Sequence, residues 1–454
     1  MKVPLPRGSP NSLLNVLMGL QFFPRGGSAQ VARSLARALP AVGWDVRVVS
    51  GSTRRGGDAR AFYNGLDVVP VDMTAASRAP DPLLGDPPLH ASYEDRQDAP
   101  DRVFGRVDDL VYEHQVDAWA RVLADAGAAD HHVLHLHHLT PLNEAAARVA
   151  PDVPVVGHLH GTEMLMLEED DGRWPHLAAW RARMRSWAHR CAQLIVISES
   201  QVQRAHELLG IEPERCVLVP NGVDEPFFDV RDIDRAAFWR KHLVELGAFD
   251  GPVLLYVGRF TAVKRVPLLI EAFGAAADRF EHRAPLVIIG GHPGEWEGEH
   301  PSDTIKRTKA RDVFLAGWHP HEDLPDFLSA ADAVVLPSVR EQFGLVLAEG
   351  MAAGLPAVAV DAHGPREIVD DGTTGWLVPP DDARALADAL VAVVNDPAER
   401  RHRGSAARAA ARERFRWPQR AALVARTYER SAAPAAPPLT PAVPARQGRP
   451  KSSV

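Results

Sequence analysis

A chain of 454 residues, 46% hydrophobic and 24% charged, is long enough for two or three domains and apolar enough to bury their cores without staples. Acidic side chains outnumber basic ones by 59 to 51, a formal charge of −8, which disfavours a surface built to track a nucleic-acid backbone. Cys191 and Cys216 are the only cysteines, too few for a disulfide framework or a four-thiolate zinc site, so the composition points to a reduced, cytoplasmic protein of enzyme size.

Residues 1–11 read as a disordered leader. The first apolar stretch, 13–23, is interrupted by Asn15, Gly19 and Gln21; it is too short to span a bilayer and reads as a buried strand over 14–20. The turn Pro24-Arg25-Gly26-Gly27 follows, and Ser28 opens a helix with Val31, Leu35, Ala38 and Leu39 on one face. Further strands are predicted over 44–50, 133–136, 153–158, 194–197 and 217–219, with a helix over 143–149. The segment 81–101 reads as a long acidic loop, the kind that forms lids and binding loops.

The stretch 220–250 begins polar and turn-like, after which a second series of strands is predicted over 253–257, 286–289, 313–315, 333–336 and 357–360. Helices are expected over 383–394, near 406–415 and over 420–428, with Trp417-Pro418 as the break, and 431–454 reads as a disordered tail. Short Val/Ile/Leu-rich strands alternating with helices mean parallel sheets covered on both faces. The predicted fold class is therefore α/β, with two doubly wound, Rossmann-like domains over 12–225 and 226–415 facing a cleft.

The motifs fall at strand ends. Gly26-Gly27 opens a helix without the GxGxxG spacing of a dinucleotide fingerprint. Gly258-Arg259, with Lys264 five residues on, places a planar fork and a point charge where a diphosphate could lie; only six of the 51 basic residues are Lys, which singles out Lys264. Glu341 and Glu349 flank Phe343-Gly344-Leu345, two acceptor-only carboxylates around a helix start, an arrangement suited to a polyhydroxylated ligand. His135 and His137 share a strand face, a geometry that permits a metal pair, but no third ligand is evident, and the reading is no metal. His131 and His132 read as exposed loop residues, and Ser198-Glu199-Ser200 as a helix N-cap rather than a nucleophile.

Together these motifs resemble the retaining family-4 glycosyltransferases of GT-B fold. The resemblance rests on Glu341 to Glu349 around Phe-Gly, followed by Met351-Ala352-Ala353-Gly354-Leu355-Pro356; on Gly258-Arg259 with Lys264; on Pro220-Asn221-Gly222-Val223-Asp224; on Thr374-Gly375-Trp376-Leu377-Val378; and on Gly26-Gly27 and His160-Gly161-Thr162-Glu163. It spans about residues 15–428, with the motifs in order. It implies an acceptor-side N-terminal domain, a nucleotide-sugar-binding C-terminal domain, and a helix over 416–430 crossing back onto the first domain. It further implies that Arg259 and Lys264 hold the donor diphosphate, which Gly26, Gly27 and Gly258 approach. Glu349 would take the ribose hydroxyls, Glu341 those of the transferred sugar, and backbone N–H groups at Phe343, Gly344 and Leu345 the sugar and phosphate. His160 would lie beside the sugar, Gly317 and Trp318 would wall the base, Gly290-Gly291 would turn nearby, and His137, His138 and Glu163 would face the acceptor.

The implied reaction moves a hexosyl or N-acetylhexosaminyl group from a UDP- or GDP-sugar co-substrate to a hydroxyl, with retention and without a metal or other cofactor. Cations and helix dipoles would stabilise the leaving diphosphate, and domain closure would exclude water. The acid balance favours a small soluble acceptor, of which an aminocyclitol or inositol-type compound is one example, over a glycan or lipid precursor. No nucleic-acid partner is expected, and membrane association is not indicated. A nucleotide-sugar epimerase of the same fold and an inactive nucleotide-sugar-binding subunit are the rival readings.

Overall fold

In the computed structural model of the chain, the described residues are 14–24, 26–54, 57–94, 101–169, 172–243, 251–291 and 296–433. The leader expected over 1–11, most of the tail expected over 431–454, and residues 95–100 of the acidic loop lie outside them.

Strands β1 (Leu14–Leu20), β2 (Trp44–Ser52), β3 (Asp67–Asp72), β4 (Val133–His137), β5 (Val155–His158), β6 (Gln193–Val196) and β7 (Cys216–Leu218) form one sheet. Strands β8 (Leu254–Val257), β9 (Leu286–Ile289), β10 (Val313–Gly317), β11 (Ala333–Leu336), β12 (Ala357–Val360) and β13 (Gly375–Val378) form the other. Their orders are β3-β2-β1-β4-β5-β6-β7 and β10-β9-β8-β11-β12-β13, and every pairing is parallel. The central strands are continuous apolar runs because helices cover both faces; Val16, Leu17, Met18, Leu254, Leu255, Val334 and Val335 are fully buried. In both sheets the order reverses beside the first strand, which opens a crevice at the carboxyl ends.

Strands β3 and β13, which hydrophobic patterning did not reveal, are edge strands. Pro70 interrupts β3 between Asp67 and Asp72, and β13 opens on Gly375, so neither shows the uninterrupted apolar run of a central strand. The helix Asp109–Asp125 was also unpredicted; Asp108 caps it by accepting the Val111 N–H at 3.0 Å. Within the stretch read as turn-like lies the helix Arg235–His242, started by Asp234, which accepts the Ala237 N–H. The helix expected near 406–415 begins much earlier, as Pro397–Arg414, because Asp396 accepts the N–H groups of Ala398 and Glu399.

After Phe415 the last helix, Trp417–Ala432, starts with Pro418 in its first turn and returns to the first domain. Ala421, Val424, Ala425 and Tyr428 share one apolar core with Val16, Met18, Trp44, Val46 and Val48. The Tyr428 ring meets Trp44 edge-on at 4.8 Å, and its hydroxyl bonds His135 Nδ1 at 2.5 Å. No helix among the described residues is long and apolar enough to cross a membrane.

Candidate active site

The carboxyl ends of the two sheets face a cavity of about 520 Å³. Its N-terminal wall includes Phe22, Phe23, Gly26, Gly27, His90, Ser92, Tyr93, Glu94, His138, His160 and Thr162. Across from these stand Gly258, Arg259, Lys264, Gly290, Gly291, Trp318, Glu341, Phe343, Gly344 and Leu345. Gly26 is the N-cap of the helix Gly27–Ala38 and Gly27 its first residue, and a Cβ added to either would meet nothing within 4 Å. This open cradle leaves backbone N–H groups at a positive helix end exposed to the cavity.

Arg259 follows β8, and its guanidinium grips Glu94 of the acidic loop through two hydrogen bonds, 2.5 and 2.7 Å. The pair spans the cleft, so the loop supplies a carboxylate to the cation that stands at the head of the second domain. Lys264 ends the short turn Ala262–Lys264 and pairs with Glu341. Gly290 makes this arrangement possible: at φ +149° its missing Cβ would lie 1.9 Å from the Gly258 carbonyl oxygen. Gly290→Ala is therefore expected to cost more than about 2 kcal/mol, since the obstacle is backbone beside Arg259 rather than a movable side chain. Urea denaturation of the variant measures it.

Gly344, at φ +95°, caps the helix Leu345–Ala352. Glu349, in the middle of that helix, is 3% exposed and does not line the main cavity; its carboxylate accepts a hydrogen bond from His321 Nε2 at 2.7 Å. Gly317 likewise stands off the cavity wall, whereas Trp318, 55% exposed, forms part of it.

The histidines are arranged as a ladder. His135 and His137 of β4 face His158 of β5, and His160 follows. His135 Nε2 lies 3.2 Å from His158 Nδ1, and His137 Nδ1 lies 2.8 Å from His160 Nε2. The rings stack, with centroids 4.5 Å apart for His158 and His160 and 4.9 Å for His137 and His158. Burial, followed by repulsion among the rings, pushes the pKa values of His135, His137 and His160 well below the ordinary imidazole value, and that of His158 to about 3. The ladder is thus neutral. Nitrogens of His135, His137 and His158 lie within 4.8 Å of one another, so the third imidazole that the sequence did not reveal is present. The rings are nearly parallel, however, within 6° for His135 and His158 and 25° for His137 and His158. The close nitrogen pairs, His135 Nε2 with His158 Nδ1 and His137 Nδ1 with His160 Nε2, have the spacing of N–H···N hydrogen bonds.

Of the residues expected on the acceptor side, His138 lines the cavity, but His137 and Glu163 stand behind it, fully buried. Glu163 accepts the His160 N–H at 3.1 Å and pairs with His138 Nδ1 at 3.3 Å. Burial opposes its ionisation, yet His138 and these hydrogen bonds hold its carboxyl below the usual range. His131 and His132, expected to be exposed, are half-buried: His131 Nδ1 bonds the Gly127 carbonyl at 2.8 Å, and His132 is tied to Asn15. Ser198 is the N-cap of Glu199–Leu209, but its side chain makes no cap bond. Glu367 of the second domain instead accepts the N–H groups of Glu199 and Ser200 at 2.6 and 2.9 Å, so that helix is capped across the cleft. Glu94, His321, Gln342 and its partner Arg204 were not singled out from sequence, because their roles exist only through contacts between distant segments.

Two parallel-sheet domains facing one cleft, with the last helix returning to the first, define the GT-B class of fold. A Glycosyltransferase Family 4 model matches residues 25–226, and a Glycosyl transferases group 1 model matches 242–410. A D-inositol 3-phosphate glycosyltransferase of Nocardioides sp. is 30% identical over 340 residues, covering 70% of this chain and 72% of the relative. The alpha-D-kanosaminyltransferase of Streptomyces kanamyceticus is 36% identical over 222 residues, 49% of this chain and 55% of the relative. Anabaena Alr3699/HepE, solved with UDP and glucose, superposes with a TM-score of 0.66 at 19% identity, over 92% of this chain and 99% of that one. The chain belongs to glycosyltransferase family 4. It spans about half the length of several curated relatives that it matches, 49–56%.

Proposed function

We propose that the protein transfers a hexosyl or N-acetylhexosaminyl group from a UDP- or GDP-sugar to a hydroxyl of a small soluble acceptor, in the cytoplasm, with retention and without a metal. The observation that carries this reading is the juxtaposition of Arg259, Lys264, Glu341 and the open Gly26-Gly27 cradle around one interdomain cavity. Each cation is held by a carboxylate, Glu94 or Glu341. A diphosphate competes for the same guanidinium and ammonium and, as it departs, finds its growing charge met by groups already in place. Glu341 is then available to accept sugar hydroxyls, and His160, neutral and fixed by His137, bonds the sugar without adding charge. Attack comes from the same face as the leaving group, with the departing phosphate taking the acceptor proton; no protein nucleophile is assigned.

The N-terminal wall favours transfer over epimerisation. His90, Ser92, Tyr93, His138 and Thr162 line room beyond the diphosphate end that an epimerase does not need. The names of relatives that act on inositol phosphate or transfer kanosamine agree with a small polyhydroxylated acceptor. The test is a panel of nucleotide sugars with cyclitol and aminocyclitol acceptors, in the presence and absence of a chelator, with the anomeric configuration of the product read by NMR. Chelator-insensitive formation of an axial, retained linkage is expected. Isomerised donor sugar with no transfer product would establish the epimerase instead.

A further inference from the structure

We propose that His321 is a positioning residue of the donor site: as an imidazolium it holds the Glu349 carboxylate in place to receive the donor's ribose. The inference rests on the donor-binding reading above. His321 opens the turn His321–Asp323, three residues beyond Trp318 at the end of β10. Its Nε2 donates to Glu349 Oε1 at 2.7 Å. Glu349 is 3% exposed, in the middle of the helix Leu345–Ala352, and His321 is the cation-forming side chain bonded to it. One carboxylate oxygen is thereby committed to the imidazole, which fixes the side chain, and Glu349 and His321 line a small recess that adjoins the main cavity at Leu345, a residue of both walls. The ring is itself held by Phe227, with centroids 5.0 Å apart.

The charged groups around this imidazole come from four elements. Glu349 lies on its helix, Asp224 in the loop after β7, Glu322 on the same turn, and Arg33 on the helix Gly27–Ala38. Arg33 is occupied with Glu322 at 3.0 Å, and the Gln30 amide bonds Asp224 at 2.9 Å, so the N-terminal domain's first helix ties both acids into the cluster. Burial alone would lower the His321 pKa; Glu349 first, then Asp224 and Glu322, outweigh it and raise the value above the ordinary one. The imidazolium therefore persists to higher pH than that of an ordinary imidazole and is lost as pH rises through the raised folded-state value. Above that point Glu349 is a buried carboxylate with a neutral neighbour, and the ribose loses its fixed acceptor.

The test is calorimetric titration of the full chain with UDP-glucose, UDP-N-acetylglucosamine and GDP-mannose between about pH 6 and pH 8.5, a range in which the phosphates of a nucleotide sugar do not titrate. Wild-type affinity for the bound donor is expected to weaken about tenfold across that range. H321Q, which keeps a hydrogen-bond donor but cannot titrate, is expected to bind with little pH dependence. H321L is expected to bind at least tenfold more weakly at low pH, with the loss falling on the donor KM more than on kcat. Wild-type pH dependence retained in H321Q, or wild-type affinity in H321L, overturns the proposal. Lys264→Ala in the same titration reports on the diphosphate site alone: a loss there with unchanged His321 variants refutes this inference and leaves the transfer reading standing. Failure of every nucleotide sugar to bind the wild type overturns both.

Discussion

Replacement of Lys264 by alanine is expected to lower turnover by about 10²–10³-fold, the usual cost of removing one preorganised group that meets developing negative charge. Two effects add. The ammonium that neutralises the diphosphate is gone, and Glu341, whose side chain is only 15% exposed, is left as an uncompensated carboxylate facing the incoming phosphates. The backbone should tolerate the change, because the turn is held by the bond from the Lys264 N–H to the Thr261 carbonyl at 3.0 Å, which alanine retains. Lys264→Arg should not restore the rate, since a planar fork cannot occupy the place of a compact ammonium already seated against one carboxylate. Initial rates at saturating acceptor, read beside the melting temperature, decide the matter: undiminished turnover would remove the diphosphate assignment.

The second large effect is acid destabilisation centred on the ladder. His135, His137, His158 and His160 have folded-state pKa values below the ordinary imidazole value, His158 at about 3. In the unfolded chain each takes up a proton near pH 6.5; in the native state each resists it. The unfolded state thus binds more protons below that pH, and native stability falls as pH falls, by up to about 1.4 kcal/mol per imidazole per pH unit. Glu163, held below the usual carboxyl value, acts in the same direction at lower pH: its stabilisation is present above its unfolded value and fades as pH drops through the folded one. Four imidazoles titrating together would exhaust a domain's ordinary stability of about 5–15 kcal/mol within a few pH units. Urea midpoints measured from about pH 7.5 down to pH 5 should fall steeply below pH 6.5. A flat profile over that interval would mean that the ladder is not neutral and dry.

Much of this molecule can be read from short apolar runs. Central strands such as β1, β8 and β11 are buried on both faces, and that requirement writes itself into consecutive residues. Strand β3 is interrupted by Pro70 and bounded by Asp67 and Asp72, and β13 opens on Gly375 with only three apolar residues after it, so neither carries such a run. The helix Asp109–Asp125 escaped notice because its buried positions include Gln115 and Tyr112 beside apolar residues, which blurs its apolar face.

The candidate site divides in the same way. Gly26-Gly27, Gly258-Arg259, Lys264 and the carboxylates at 341 and 349 stand out by type and local spacing, because a turn or helix start fixes neighbouring residues relative to one another. The partners of these residues do not stand out. Glu94 is 165 positions from the arginine that it grips, His321 is 28 from Glu349, and Glu367 is 168 from the helix that it caps. The sequence by itself determined two parallel α/β halves and the short motifs at their strand ends, since hydrophobic burial and backbone turns act over a few residues. Only the tertiary structure decided which charges meet across the cleft and which histidines become a neutral, stacked ladder, because Coulomb interaction and desolvation depend on distance in space rather than along the chain.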